Sequence, residues 1–144
     1  MESSIDTVIG FDFGTVWTGI AIGLTLTAQA RPLSAIKSIN QKPNWQAIGS
    51  LLEEWQPQRL IVGLPSSMIH DNHPMTEKVR KFSRQLEGRF KIPVELIDER
   101  LTTREAYVIA IESNQRKTKQ EVDSIAAMLI AESWLRGYAT STNG

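Results

Sequence analysis

The hydrophobic pattern changes period several times along this chain, and each change marks an element. Val8-Ile9-Gly10-Phe11-Asp12-Phe13 is a near-continuous apolar run followed by Gly14-Thr15, which predicts a strand buried on both faces. A second apolar segment, Thr18 to Leu24, follows closely enough to pair with it as a hairpin. A third strand is expected at Leu33 to Ile39, after Arg31-Pro32. The period then becomes helical: Asn44 is positioned to cap a helix carrying Trp45, Ile48, Leu51, Leu52 and Trp55, which read as core, and Pro57 stops it.

Leu60 to Pro65 reads as a short buried strand, Pro74 opens a helix to about Gly88, and Val94 to Ile97 forms a last strand delivering Asp98-Glu99-Arg100 at its end. Two capping boxes follow, Thr102 with Glu105 and Thr118 with Glu121. The first starts a helix to about Ser113, the second a final helix to about Arg136. This order predicts an α/β fold: an antiparallel hairpin layer extended by parallel βα crossovers into one mixed five-stranded sheet with helices on both faces. One domain is expected over residues 1–138, with a frayed tail from Tyr138 and disorder over 139–144.

Composition removes several classes. The chain has 144 residues, 16 basic and 16 acidic, so no overall positive field points to nucleic acid, although local clustering remains open. It has no cysteine, which excludes disulfides, thiol catalysis and cysteine-based zinc sites and fits a cytoplasmic protein. The start carries no apolar leader core and no stretch reaches the length of a membrane span, so no membrane partner is expected.

Asp12 stands where a buried strand would normally carry another hydrophobe. An unpaired ionised carboxylate there costs several kcal/mol, a cost that a bound cation or a phosphate-handling turn removes. Alternation puts Asp12 on one face with Gly10 and Val8, a face that reads as roomy, and Ile9, Phe11 and Phe13 on the other. The topology can bring two further carboxylates to the same end of the sheet. Glu99 follows a parallel strand at its C-terminal end, where open α/β sheets place ligands, and Asp123 lies in the first turns of the last helix. Beside Asp123, Ala127 is small enough to let that helix approach the sheet. Singly, each has another reading, Asp12 as a turn cap, Glu99 as a partner of Arg100 or Arg104, and Asp123 as a helix-dipole residue, with Asp12 the hardest to dismiss. Together, converging carboxylates repel one another unless a hard, oxygen-preferring cation, Mg²⁺ or Mn²⁺, neutralises them. That is the arrangement of two-metal phosphodiester hydrolysis.

Gly10-Phe11-Asp12-Phe13-Gly14-Thr15, Ile61-Val62-Gly63-Leu64-Pro65, Asp98-Glu99-Arg100-Leu101-Thr102-Thr103 and Val122-Asp123-Ser124-Ile125-Ala126-Ala127 occur in this order over nearly the whole chain. In this the chain resembles the YqgF/RuvX family. The resemblance implies a ribonuclease H-like fold related to Holliday-junction resolvases, nuclease activity maturing the 5′ end of pre-16S rRNA, and Asp12, Glu99 and Asp123 as catalytic metal ligands. Asp98 falls on the opposite face by alternation. Two departures stand out: Val16-Trp17-Thr18 lacks the basic residue the family usually carries there, and Ser67-Met68-Ile69-His70 replaces its Asn-Met-Asp-Gly loop.

Arg116, Lys117 and Lys119 precede Asp123 and are expected, with Arg31, Arg100 and Arg104, to hold the phosphate backbone. Trp17 is a candidate for base stacking. Lys78, Arg80, Lys81 and Arg84 read as a solvated helix face, and His70 and His73 as loop residues rather than zinc ligands. The expected partner is nucleic acid, an rRNA precursor or branched DNA, bound by a monomer or homodimer. Junction resolution by a dimer, and nucleic-acid binding without cleavage, are the alternatives.

Overall fold

The computed structural model describes residues 4–64, 74–98 and 118–143. The described elements are β1 (Thr7–Asp12), β2 (Trp17–Leu24), β3 (Gln29–Lys37), α1 (Trp45–Trp55), β4 (Arg59–Leu64), α2 (Pro74–Phe90), β5 (Val94–Asp98) and α3 (Lys119–Asn143). The strands form one five-stranded sheet in the order β3-β2-β1-β4-β5. β1 pairs antiparallel with β2 and parallel with β4, so it lies at the centre, as its two-sided apolar pattern requires. The mixed sheet expected from the sequence is the one observed.

Alternation along β1 separates two cores. Ile9 and Phe11 join Ile20, Ile48, Leu60, Val62, Phe82 and Leu86 between the sheet and α1 and α2. Val8 joins Ile61, Ile130, Ala131, Trp134 and Leu135 beneath α3 on the other face. The caps are those read from the sequence: the Ala47 amide donates to Asn44 Oδ1 at 3.1 Å. Thr118 and Glu121 exchange the two hydrogen bonds of a capping box. α1 ends at Gln56, whose positive φ of 50° and amide bond to the Leu52 carbonyl close the helix just before Pro57.

Two boundaries differ from expectation. β3 begins at Gln29 rather than Leu33, because it is an edge strand and Pro32 is tolerated where no ladder bond is lost. α3 runs to Asn143 instead of fraying from Tyr138, because Tyr138, one turn after Trp134, stacks on it with centroids 5.0 Å apart. Trp45 and Trp55 are half-buried and pack against the first core, as read from the helical spacing. The helix expected from Thr102 to Ser113 and the Ser67–His70 loop lie outside the described residues.

Candidate active site

Asp12 ends β1 and is half-buried, and its Cα partner across the hairpin is Gly19 of β2. α3 crosses the sheet at this point. A Cβ placed on Gly19 would stand 2.0 Å from the Asp123 carbonyl oxygen, 2.2 Å from its carbonyl carbon and 2.7 Å from the Ser124 amide nitrogen. The helix backbone at Asp123 therefore rests on Gly19, about one strand spacing from Asp12 on the same face of the sheet. Only glycine permits that approach.

A second close approach, under Gly10, fixes the helix one turn later: a Cβ there would meet the Ala127 carbonyl oxygen at 2.7 Å and the Ala131 Cβ at 3.0 Å. This corrects the expectation that the face shared by Asp12, Gly10 and Val8 is roomy. Its glycine marks a helix laid against the strand, and Ala127 is the small residue that lets it descend. The register is locked by Ser124. β2 shifts register against β3 between Thr18 and Ile20, and the buried Ile20 amide donates to Ser124 Oγ at 3.1 Å. At the sheet edge the Ala30 amide donates to Glu132 Oε2 at 3.1 Å, anchoring the same helix over β3.

Asp123 is 7% exposed, and its Oδ1 receives the Lys119 ammonium from one turn earlier. A buried carboxylate thus already draws a cation to itself, with its ammonium donor about two-thirds exposed. Carboxylate oxygens are hard donors, of the kind that oxygen-preferring divalent cations take. Among the described residues, no three His, Cys, Asp or Glu come together as a metal cluster. The third expected ligand, Glu99, lies outside the described residues. β5 stops at Asp98, which pairs with Leu64, and Ile97 pairs with Gly63. Ile97 packs on the α3 side, and alternation turns Asp98 to the other face.

The expected phosphate-binding residues divide. Lys119 is at the site, paired with Asp123. Arg31 is not brought there. It sits on β3 opposite Ile22, toward the far end of the hairpin, with its guanidinium 5.5 Å from the Trp55 ring centroid on the α1 side. Arg100, Arg104, Arg116 and Lys117 lie outside the described residues, as do His70 and His73. Trp17 opens β2 two residues before Gly19 and pairs with Lys37, whose Nζ stands 5.8 Å from the indole centroid. Lys37 therefore places a cation from β3 beside Trp17. Sequence reading missed Gly19, Ser124 and Lys37, whose roles depend on strand pairing and helix docking.

The sequence model of the RuvX family, described as Holliday junction resolvase, matches residues 6–137. This chain belongs to the RuvX family. A relative from Actinobacillus pleuropneumoniae serotype 5b (strain L20), named "Putative pre-16S rRNA nuclease", is 46% identical over 130 residues, covering 89% of this chain and 95% of that one. One from Methylobacillus flagellatus with the same name is 45% identical over 140 residues, covering 96% of each. RuvC of T. thermophilus in complex with a Holliday junction substrate superposes with a TM-score of 0.62 at 14% identity, over 95% of this chain and 97% of that one. The Fowlpox virus resolvase bound to junction DNA gives 0.56 at 16% identity, over 92% and 98%. RuvX membership and a RuvC-like, ribonuclease H-like fold are thus as the sequence implied. Among the described residues no helix is long and apolar enough to cross a membrane.

Proposed function

We propose that this RuvX protein is a divalent-metal-dependent endonuclease acting on structured nucleic acid, with the 5′ end of pre-16S rRNA as its substrate. The observation that carries the reading is the seat of Asp123 on Gly19, the cross-strand partner of Asp12. The backbone of Asp123 is thereby brought beside the C-terminal end of the central strand that carries Asp12, and Glu99, which directly follows β5 in the sequence, is the third carboxylate of the proposed set. When bound, the ion supplies Lewis-acid polarisation of the scissile phosphate and a more acidic water. Asp12, Glu99 and Asp123 would hold it. Lys119 pairs with the buried Asp123 and, being largely exposed, can also reach a substrate phosphate.

The names of the relatives favour RNA, while the description of the family favours a second reading, resolution of branched DNA by a homodimer. A fragment spanning the pre-16S 5′ end and a four-way DNA junction, incubated with Mg²⁺, Mn²⁺ or EDTA, separates them. Metal-dependent RNA cuts by a protein that light scattering shows as a monomer support the first. Paired junction cuts by a stable dimer, with the RNA left whole, support the second. Binding to either substrate without cuts in any metal defeats both in favour of a non-catalytic binder.

A further inference from the structure

On the opposite face of the sheet from α3, a groove of about 860 Å³ opens beside Phe13 and Thr15, immediately after Asp12. Its far wall is the tip Ile39-Asn40-Gln41-Lys42, closed by reciprocal bonds between Ile39 and Lys42 at 2.9 and 3.0 Å. Asn40 and Gln41 carry φ of 52° and 64°, the two positive values that a tight two-residue hairpin turn requires. The near wall is α2. Lys78, Lys81 and Arg89 line it at spacings of three and eight residues, and therefore share one helical face.

Three features of the groove agree in chemistry. Its floor is a run of stacked rings leading away from Asp12. Phe13 stacks on Phe82 at 4.7 Å, Trp45 on Phe82 at 5.7 Å, and the Arg89 guanidinium covers Trp45 at 4.6 Å. Its walls are basic, and among the described residues none of its lining is acidic. The acidic residues of α2 are engaged elsewhere: Glu77 pairs with Arg84 at 3.2 Å, and Glu87 accepts the Val94 amide at 2.8 Å. Lys42, Lys78 and Lys81 are exposed and have no carboxylate partner among the described residues. A neutral chain has thus gathered unpaired cations around an aromatic floor at one end of its sheet. An ordinary solvated helix face would intersperse both signs.

We propose that this groove binds a single-stranded RNA segment, the strand leading away from the scissile phosphate over the C-terminal end of β1. Aromatic floor and lysine walls are the chemistry of single-strand binding, in which backbone charge and sequence-tolerant stacking act together. The proposal rests on the nuclease reading for its orientation but not for its binding. The seat for a base is Trp45, with Arg89 as the cation that moves aside or stacks with it.

The test is fluorescence anisotropy of a labelled single-stranded oligoribonucleotide, and of a duplex of the same length, with the full chain in EDTA. The expected result is tighter binding of the single strand. Lys78→Glu with Lys81→Glu should weaken it at least about tenfold and flatten the log–log salt slope by about 1.4, two single-strand phosphate contacts. Arg80→Glu with Arg84→Glu makes the same charge change on the same helix, away from the groove lining, and should weaken binding far less. Equal losses for both pairs, or a duplex bound as tightly as the single strand, overturn the proposal. Matching circular dichroism melts establish that each variant is folded. Asp12→Asn separates this failure from that of the nuclease reading: it should bind like the wild type. Groove variants that bind normally sink the groove alone. Wild-type protein that binds in the groove but cuts nothing with metal sinks the nuclease alone.

Discussion

Replacing Gly19 by alanine tests the architecture of the site with a single methyl group. The new Cβ would lie 2.0 Å from the Asp123 carbonyl oxygen, whereas ordinary contact begins near 3.4 Å. The helix must therefore retreat by about 1.4 Å at that point. The obstructing atoms are all backbone, so no rotamer change relieves the clash, and Ser124 must loosen its bond to the Ile20 amide as α3 lifts. Overpacking of this kind costs about 1–3 kcal/mol, and weakening a buried hydrogen bond adds about 1 kcal/mol. For a chain of this size the total corresponds to a fall in Tm of roughly 5–12 °C. Activity should fall further than stability. Displacing a catalytic group by about 1 Å costs on the order of 100-fold in rate, and the residue displaced is Asp123, the proposed metal ligand. Thermal melting and a cleavage time course at a temperature where the variant is fully folded measure the two separately. Gly23→Ala is the control, because the Cβ there would meet side-chain atoms of Leu135 and Val8 at 2.9 and 3.1 Å, which can repack. Gly19→Ala that melts and cuts like the wild type would refute the seating of α3 on β2.

Further expectations follow from single contacts. Ser124→Ala leaves the Ile20 amide buried without its partner and should cost about 1–3 kcal/mol in urea unfolding; no change would mean that water or another acceptor replaces the hydroxyl. Lys119→Met removes the ammonium from the buried Asp123, and because Lys119 is largely exposed the loss should be at most about 1 kcal/mol. Mg²⁺ should raise the Tm of that variant more than that of the wild type; an equal rise contradicts shared occupancy of the carboxylate. Asn44→Ala should lower stability by about 1 kcal/mol in thermal melting or urea unfolding through the lost cap on the Ala47 amide.

What the sequence disclosed and what it withheld divide along local and non-local lines. The strands, the Asn44 and Thr118 caps and the stop of α1 at Pro57 were legible because period and capping chemistry are local, whereas the left-handed Gln56 that closes the helix carries no such signal. Asp12 was legible because a carboxylate in an apolar strand contradicts its surroundings. Gly10 misled: a missing side chain signals either space or a close neighbour, and only the docked helix decides between them. Gly19 was silent for the same reason. Arg31 was misplaced because its Trp55 contact joins β3 to α1. The basic groove joins Phe13, Lys42, Trp45 and Phe82, and no local window contains them.

The central claim is that Asp12 and Asp123 serve one metal-dependent phosphodiester hydrolysis. The most direct measurement is cleavage of a pre-16S 5′-end fragment by Asp12→Asn and Asp123→Asn, alongside calorimetric titration of each with Mn²⁺. Both variants should remain folded, bind RNA, bind the ion more weakly than the wild type and lose cleavage. Either one cutting at the wild-type rate would contradict the account.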